Sequence, residues 1–449
     1  MSVEQATVED AALARGELDQ AFAAARERHM AGELDEAVRL YRAILERDAG
    51  HADALHLLGV AAYQRGRHEQ ALDLIGQAIA RNPDDAKYHN NLGNVLRDSI
   101  QLDAAIAAYE AALAHDADFA DALHNLGTAL GETGRVADGI AKLERAATLV
   151  PGRAGTFGNL ALLHDKAGDR DAAMAAARAA VALAPDDAEL QNNIASLLLK
   201  VGDAQAALVI SDTLIGAGRQ VVRALSLKSI ALSELGQDAA AAYLTDPTLI
   251  DATAIAVPEG YASLEAFNRA LVDHVSAHPT LQRAPAAHAT VHGWHSGELA
   301  TDTAPAILAL KDAVRAAVAR RFAVADADPL HPFWTQRPAQ FGLNMWAVVM
   351  EQGGHQTTHI HPSGWLSGVY YPELPPDVAD ADAHAGWIVF GRADDDYYVT
   401  SSPQPHMIAP QEGLMVTFPS YYWHRTVPYP SDSRRISIAF DIVPADAAA

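Results

Sequence analysis

Apolar positions recur along this chain in two rhythms. From about residue 17 to residue 250 they follow the helical period, in blocks such as "ALHLLGVAAYQRGRHEQAL", "YHNNLGNVLRDSIQLDAAI", "ALHNLGTALGETGRVADGI" and "TFGNLALLHDKAGDRDAAM". Apolar residues three and four apart, with polar residues between, predict amphipathic helices. The texture changes near residues 245–262, around "LTDPTLIDATAIAVPEGY". Beyond it, "SLEAFNRALVDHVSAHP" and "APAILALKDAVRAAVARRF" read as two further amphipathic helices. Then come "FGLNMWAVVM", "GWLSGVYYPEL", "GWIVFGR", "DYYVT", "GLMVTFP" and "RRISIAFDIV". These are short β-branched and aromatic runs divided by Gly, Pro and Asp clusters, the pattern of an antiparallel sandwich or barrel.

The helical half repeats itself. Small residues stand at Ala25, Gly59, Gly93, Gly127, Ala161, Ala195 and Ser229, a step of 34 each time. A second small column runs through Ala37, Ala71, Ala105, Gly139, Ala173, Ala207 and Ala241, and a third through Ala78, Ala112, Ala146 and Ala180. Pro83, Pro151 and Pro185 close their repeats, because proline has no N–H with which to continue a helix. Period, small positions and terminal proline together resemble the tetratricopeptide repeat. About seven repeats fit over residues 17–250, the first and last less regular, as capping units are. The expected organisation is an extension (1–16), the solenoid (17–250), a linker (251–261), a β domain (262–443) and a tail (444–449).

One polar column runs through the repeats. Asn91, Asn125, Asn159 and Asn193 each precede the small position on the first helix by two residues. Carboxamides on a concave surface can donate to and accept from the backbone of an extended peptide whatever its sequence. A similar asparagine column holds peptide in the tetratricopeptide superhelix of O-linked N-acetylglucosamine transferases. The alternative is that these side chains brace neighbouring hairpins.

Composition narrows the function classes. The chain has 449 residues, too many for one ordinary core, so the two rhythms mark separate domains. With no cysteine, disulfides, thiolate metal sites and cysteine nucleophiles are excluded. A formal charge of −24 disfavours general binding to nucleic acid or anionic lipid. Neither a long apolar run nor an apolar signal core is evident, so a cytoplasmic protein is expected.

Twenty histidines are present, and those among the repeats need no special role. His359 and His361 are different. Residues i and i+2 of a strand point to one face, so both imidazoles can reach one ion. His424 follows the strand "GLMVTFP" and offers a third. Three imidazoles suit Fe, Zn, Cu or Ni. In "RRISIAFDIV", alternation places Ile436, Ile438 and Phe440 on one face and Arg435, Ser437, Ala439 and Asp441 on the other. A guanidinium fork beside a hydroxyl suits a carboxylate. Arg434, the alternative, shares the apolar face.

His359-x-His361, "LSGVYYPELP" and "PQEGLMVTFPSYYWHRTVPYPSDSRRISIAFDI" resemble the iron(II)- and 2-oxoglutarate-dependent oxygenases. The closest likeness is to the bacterial branch with the pattern HxHP…SGVYY…FPS…H…RxS. The resemblance covers about residues 262–443. It implies a double-stranded β-helix (jelly roll) with flanking helices, and a hydroxylase using Fe(II), 2-oxoglutarate and O2, with ascorbate as a possible reductant. His359 and His424 take the places of the two family histidines. Arg435 with Ser437 takes the place of the pair that binds the distal carboxylate of 2-oxoglutarate. Tyr371 falls near the cosubstrate, and Asn344 on an adjacent pocket strand. One position departs: His361 stands where most of the superfamily has Asp or Glu. A peptide or protein substrate held by the repeats is the expected partner. Two alternatives stay open. Gly353 followed by His359-x-His361 partly resembles a three-histidine cupin that does not use 2-oxoglutarate, although the expected glutamate is missing from Ser363–Leu366. A degenerate, non-catalytic domain on a repeat scaffold is the other. The stretch from His384 to Asp396 is read as a candidate substrate loop.

Overall fold

The structure is a computed structural model, and it describes residues 3–284, 289–324, 328–379, 383–391, 397 and 404–445. The chain divides into two compact units, Met1–Ala184 and Pro185–Ala449.

The first unit consists of paired antiparallel helices, from Val3–Met30 with Leu34–Arg47 to Ala154–Lys166 with Arg170–Leu183. The expected extension is no separate element: Val3–Met30 is one continuous helix. Helices end at Arg81, Leu149 and Leu183, each two residues before its proline. The small columns are where helices touch. A Cβ on Gly127 would lie 2.9 Å from the Gly139 carbonyl oxygen, and one on Gly139 would lie 2.8 Å from that of Gly127. The two backbones approach too closely there for any side chain.

The second unit begins with two more hairpins, Ala188–Lys200 with Ala204–Gly216 and Val221–Glu234 with Asp238–Leu244. Seven hairpins therefore precede the β region. The last two belong to the compact unit that carries the β sheets, so the division falls upstream of the expected linker. Part of that linker is itself a strand. The short alternation Asp251–Ala254 (β1) forms an edge of the main sheet.

The other strands are β2 (Gln282–Arg283), β3 (Thr290–His295), β4 (Phe341–Gln356), β5 (Leu366–Glu373), β6 (Ile388–Phe390), β7 (His406–Ile408), β8 (Leu414–Pro419), β9 (His424–Thr426) and β10 (Arg435–Pro444). They form a seven-stranded sheet, β1-β8-β5-β10-β4-β3-β2, and a three-stranded sheet, β7-β6-β9, with every pairing antiparallel. Of "DYYVT", all but Tyr397 lies outside the described residues, as do residues 392–396 of the candidate substrate loop.

The main sheet has two faces. Tyr370 on the outer face donates its hydroxyl to Asn268 Oδ1 (2.5 Å) on the covering helix Leu264–Ser276. The inner face carries Ser367, Val369 and Tyr371 of β5, and Arg435, Ser437, Ala439 and Asp441 of β10, as alternation requires. The β10–β5 register shifts between Ile436 and Ile438, where β5 carries the extra residue in Tyr371–Pro372. Pro372, which has no N–H for a ladder, is tolerated at this bulge.

Candidate active site

His359 lies opposite His424 in an isolated antiparallel bridge that extends the smaller sheet. His361 N–H donates to the Ser420 carbonyl (3.0 Å), holding the next residues of the same segment in line. The ring centroids of His359 and His424 are 4.2 Å apart, and that of His361 stands 5.2 and 5.1 Å from them. One nitrogen from each ring falls within 4.8 Å of the others.

The hydrogen bonds determine which nitrogen each ring offers. His359 Nδ1 donates to the Thr357 carbonyl (2.7 Å), and His424 Nδ1 to the Tyr422 carbonyl (3.0 Å). His361 Nδ1 donates to the Asp441 carboxylate, at 2.8 Å from Oδ1 and 3.0 Å from Oδ2. These oxygens only accept, so the proton sits on Nδ1 in all three rings and the Nε2 lone pair is free to bind a metal. Burial, with the neighbouring His361 ring, pushes His359 down to about 4. Burial takes His424 well below the usual imidazole range. Both rings are neutral at physiological pH, the state a ligand needs.

On the inner face of the main sheet, Arg435 is 1% exposed, and its Nε and Nη1 have no acceptor. The hydroxyls of Tyr371 and Tyr429 beside it are buried and likewise unpaired. The guanidinium carbon lies 5.3 Å from the centre of the Tyr371 ring. Burial pushes the Tyr371 hydroxyl up against the pull of Arg435, and burial lowers Arg435. Val348, Met350 and Ala385 pack with Tyr429 around the site. A buried cation with unused N–H donors and two idle hydroxyls needs an anion, and a carboxylate matches the fork.

Three imidazoles thus converge beside the smaller sheet, and the inner face of the main sheet carries a buried guanidinium whose Nε and Nη1 have no acceptor. Residues 344–441 match the family model described as "Putative 2OG-Fe(II) oxygenase". Residues 29–94, 93–134 and 154–187 match three tetratricopeptide repeat models. The chain is a tetratricopeptide–oxygenase fusion.

Among solved structures, the fusion is similar to PilF of Pseudomonas aeruginosa (29% identity, TM-score 0.39), covering 45% of this chain and 93% of that one. It is also similar to MamA (23% identity, TM-score 0.33), covering 37% of this chain and 96% of that one. YrrB, described as a TPR protein with an unusual peptide-binding site, matches at 21% identity and TM-score 0.33, covering 38% and 87%. Comparison with curated proteins returned no match.

Arg435, Ser437 and Tyr371 share the inner face of the main sheet, and His359, His361 and His424 gather beside the smaller sheet, with His361 reaching Asp441 of that inner face. Arg434 is on the other side: it is exposed, donating from Nε to Glu373 Oε2 (2.8 Å) and from Nη1 to Ser276 Oγ (3.2 Å). Asn344 is the register partner of Asp441 and is exposed at the mouth of the inner face. Asp441, Tyr429, Ser367 and Trp346, which stacks on His361 at 5.7 Å, were not singled out as site residues from sequence. For Asp441 a signal existed, since it shares the alternation of Arg435.

In the repeats, Asn91 Nδ2 contacts His56 Nε2 at 2.8 Å. Asn125 Nδ2 donates to Asn90 Oδ1 and Asn94 Oδ1, both at 3.0 Å, and Asn159 Nδ2 to Thr128 Oγ1 at 2.8 Å. These three amides tie each first helix to that of the preceding repeat. Asn193 is exposed. Among the described residues a second group with metal-ligand geometry is His274, His278 and Asp302. There the Asp302 carboxylate already accepts from His274 Nε2 (2.7 Å) and from the Ala304 N–H (2.9 Å), which accounts for the cluster without an ion.

Proposed function

We propose that the chain is an Fe(II)- and 2-oxoglutarate-dependent hydroxylase acting on a polypeptide. The observation that carries the reading is the presence in one β domain of three converging imidazoles and a buried, acceptor-less Arg435. His359, His361 and His424 would hold the iron. Arg435, with Tyr371 and Ser437, would hold the distal carboxylate of 2-oxoglutarate. With O2 the pair supplies a two-electron oxidant: a substrate C–H becomes C–OH while 2-oxoglutarate is split to succinate and CO2.

The chain's own residues orient and exclude water. The Nδ1 acceptors fix ring rotation, so the three nitrogens need no rearrangement on binding metal. The packed wall of Val348, Met350 and Ala385 keeps the carboxylate receptor dry, which strengthens the guanidinium's hold on an anion. A three-histidine centre working without 2-oxoglutarate would leave Arg435 without a counterion.

The substrate class rests on the repeats. Asn125 uses both amide hydrogens on its neighbours, so its carbonyl oxygen is the atom left to meet a ligand. Such an acceptor suits an N–H group of an extended chain. The hairpins nearest the oxygenase domain are pinned to its metal-bearing segment. Tyr421 and Tyr422 donate their hydroxyls to the carbonyls of Leu244 (2.6 Å) and Asp246 (2.9 Å), and Trp423 Nε1 donates to that of Ser226 (3.2 Å). A polypeptide lying along Asn193 would therefore be held by elements braced directly against His424.

The test is to reconstitute the full chain with Fe(II), ascorbate and 2-oxoglutarate and challenge it with a peptide pool. Succinate should form in step with peptides gaining one oxygen, and His424→Ala should stop both. No succinate above the peptide-free rate with any pool would end the hydroxylase reading.

A further inference from the structure

The metal-binding segment has an imidazole, His361, where a carboxylate would have balanced the charge of a divalent ion. Three neutral ligands leave that ion's full charge uncompensated in a poorly hydrated site, which is costly. One carboxylate, Asp441, contacts this cluster. It does not point at the common focus of the three Nε2 atoms. It sits behind His361, accepting from Nδ1 at 2.8 and 3.0 Å.

That carboxylate is held from several sides. Ser367 Oγ donates to Asp441 Oδ1 (2.7 Å), and Ser367 Oγ lies 2.8 Å from Ser420 Oγ. Ser367, Ser420 and Asp441 are all buried, at 0%, 0% and 7% exposure. Gly364 closes the network: a Cβ there would lie 2.6 Å from Ser420 Oγ and 3.4 Å from Asp441 Cβ. The segment His361–Gly364 thus turns tightly over a buried serine pair that holds the carboxylate against one ring nitrogen. Among the described residues, His361 and Ser367 are the side chains that hydrogen-bond the Asp441 carboxylate.

We propose that Asp441 is the positioning residue that supplies, one bond further out, the negative charge missing from the metal's immediate ligands. This rests on the three-histidine metal reading above. Through the Nδ1–H···carboxylate bond, Asp441 holds His361 in the Nε2-ligating tautomer and sets its negative charge behind the ring. The ion then meets a ligand set that is neutral in its inner layer and anionic just behind it.

Asp441→Asn separates charge from shape. The amide oxygen can replace Oδ1, still accepting from His361 and Ser367, while the charge is lost. In the full chain, Co(II) affinity should fall about 10- to 100-fold relative to wild type. The midpoint potential of bound iron should move positive, because removing a nearby anion disfavours the ferric state; a purely structural role would not shift it. Ser367→Ala, which removes one anchor but keeps the charge, should weaken Co(II) binding less and leave the potential near wild type. Equal Co(II) affinity and an unchanged potential in Asp441→Asn would overturn the inference, with the metal site left standing. A wild type that binds no Co(II) would instead overturn the metal reading, and this inference with it.

Discussion

His359 and His424 exchange both backbone hydrogen bonds, each N–H donating to the other's carbonyl at 3.0 and 3.1 Å. The backbone alone therefore sets the two rings side by side, and neither needs the metal, or the other ring, to stay in place. Replacing either histidine by alanine should leave the bridge and the metal-free fold intact. Metal affinity should fall by more than the roughly 10- to 100-fold expected when only an outer partner is lost. Wild type in Mn(II) at a hundred times its Kd should gain about 2.7 kcal/mol of stability. Thermal melting with and without Mn(II) checks this: the gain should vanish in His359→Ala and His424→Ala while the metal-free melting temperatures stay together.

Arg435 makes an opposite prediction for stability and binding. A buried guanidinium with idle N–H groups is a cost to the empty protein. Replacing a buried charge by an apolar side chain of similar size is often neutral or stabilising by about 1–4 kcal/mol. Arg435→Met should therefore melt no lower than wild type in the absence of ligand, yet lose 2-oxoglutarate binding to the Mn(II)-loaded protein in calorimetry. Arg434→Ala breaks a surface pair and should change stability by under about 1 kcal/mol without touching 2-oxoglutarate affinity. The reverse pattern between the two arginines would reassign the anion site.

The contrast between these neighbours shows what the sequence makes legible. Alternation carried back from β10 separates Arg435 from Arg434 because Arg435 opens the strand on a buried face, while Arg434, just before it, is exposed. The repeats were legible because a fixed period marks each helix contact with a small residue, as Gly127 and Gly139 show. Asp441's partnership with His361 was not, because it spans 80 residues and depends on how β4, β5 and β10 register, including the bulge at Tyr371–Pro372. Strand β1 was missed for a related reason. Four residues of weak alternation become a strand only because β8 offers an edge. Propensity carries little of that information.

His56 gives the repeats a pH dependence of definite sign. It is 5% exposed, its Nε2 meets Asn91 Nδ2, and burial pushes it down to about 4 from 6.5. Between those values the unfolded chain holds the extra proton, so stability rises with pH through that window and falls as the solution is acidified. Above the unfolded value the ring is neutral in both states and contributes no slope. A shift of this size corresponds to about 3 kcal/mol lost by pH 4. Urea unfolding of the full chain across this window should be steeper in pH for wild type than for His56→Gln. Parallel profiles would mean that the ring is protonated in the fold.

The asparagine column separates bracing from ligand contact position by position. Asn125 donates two hydrogen bonds to the preceding first helix; Asn125→Ala removes the donor to Asn90 Oδ1, while Asn94 Oδ1 keeps the Tyr109 hydroxyl, and should cost about 1–3 kcal/mol. Asn193 is exposed, and Asn193→Ala should fall within about 0.5 kcal/mol of wild type. If the column also carries the substrate, Asn193→Ala should nonetheless raise KM for a long peptide while leaving kcat unchanged, the mark of lost uniform binding. A short peptide confined to the oxygenase domain should not register the substitution. Unchanged KM for every substrate length would assign the column to bracing alone, and the polypeptide would have to be held elsewhere.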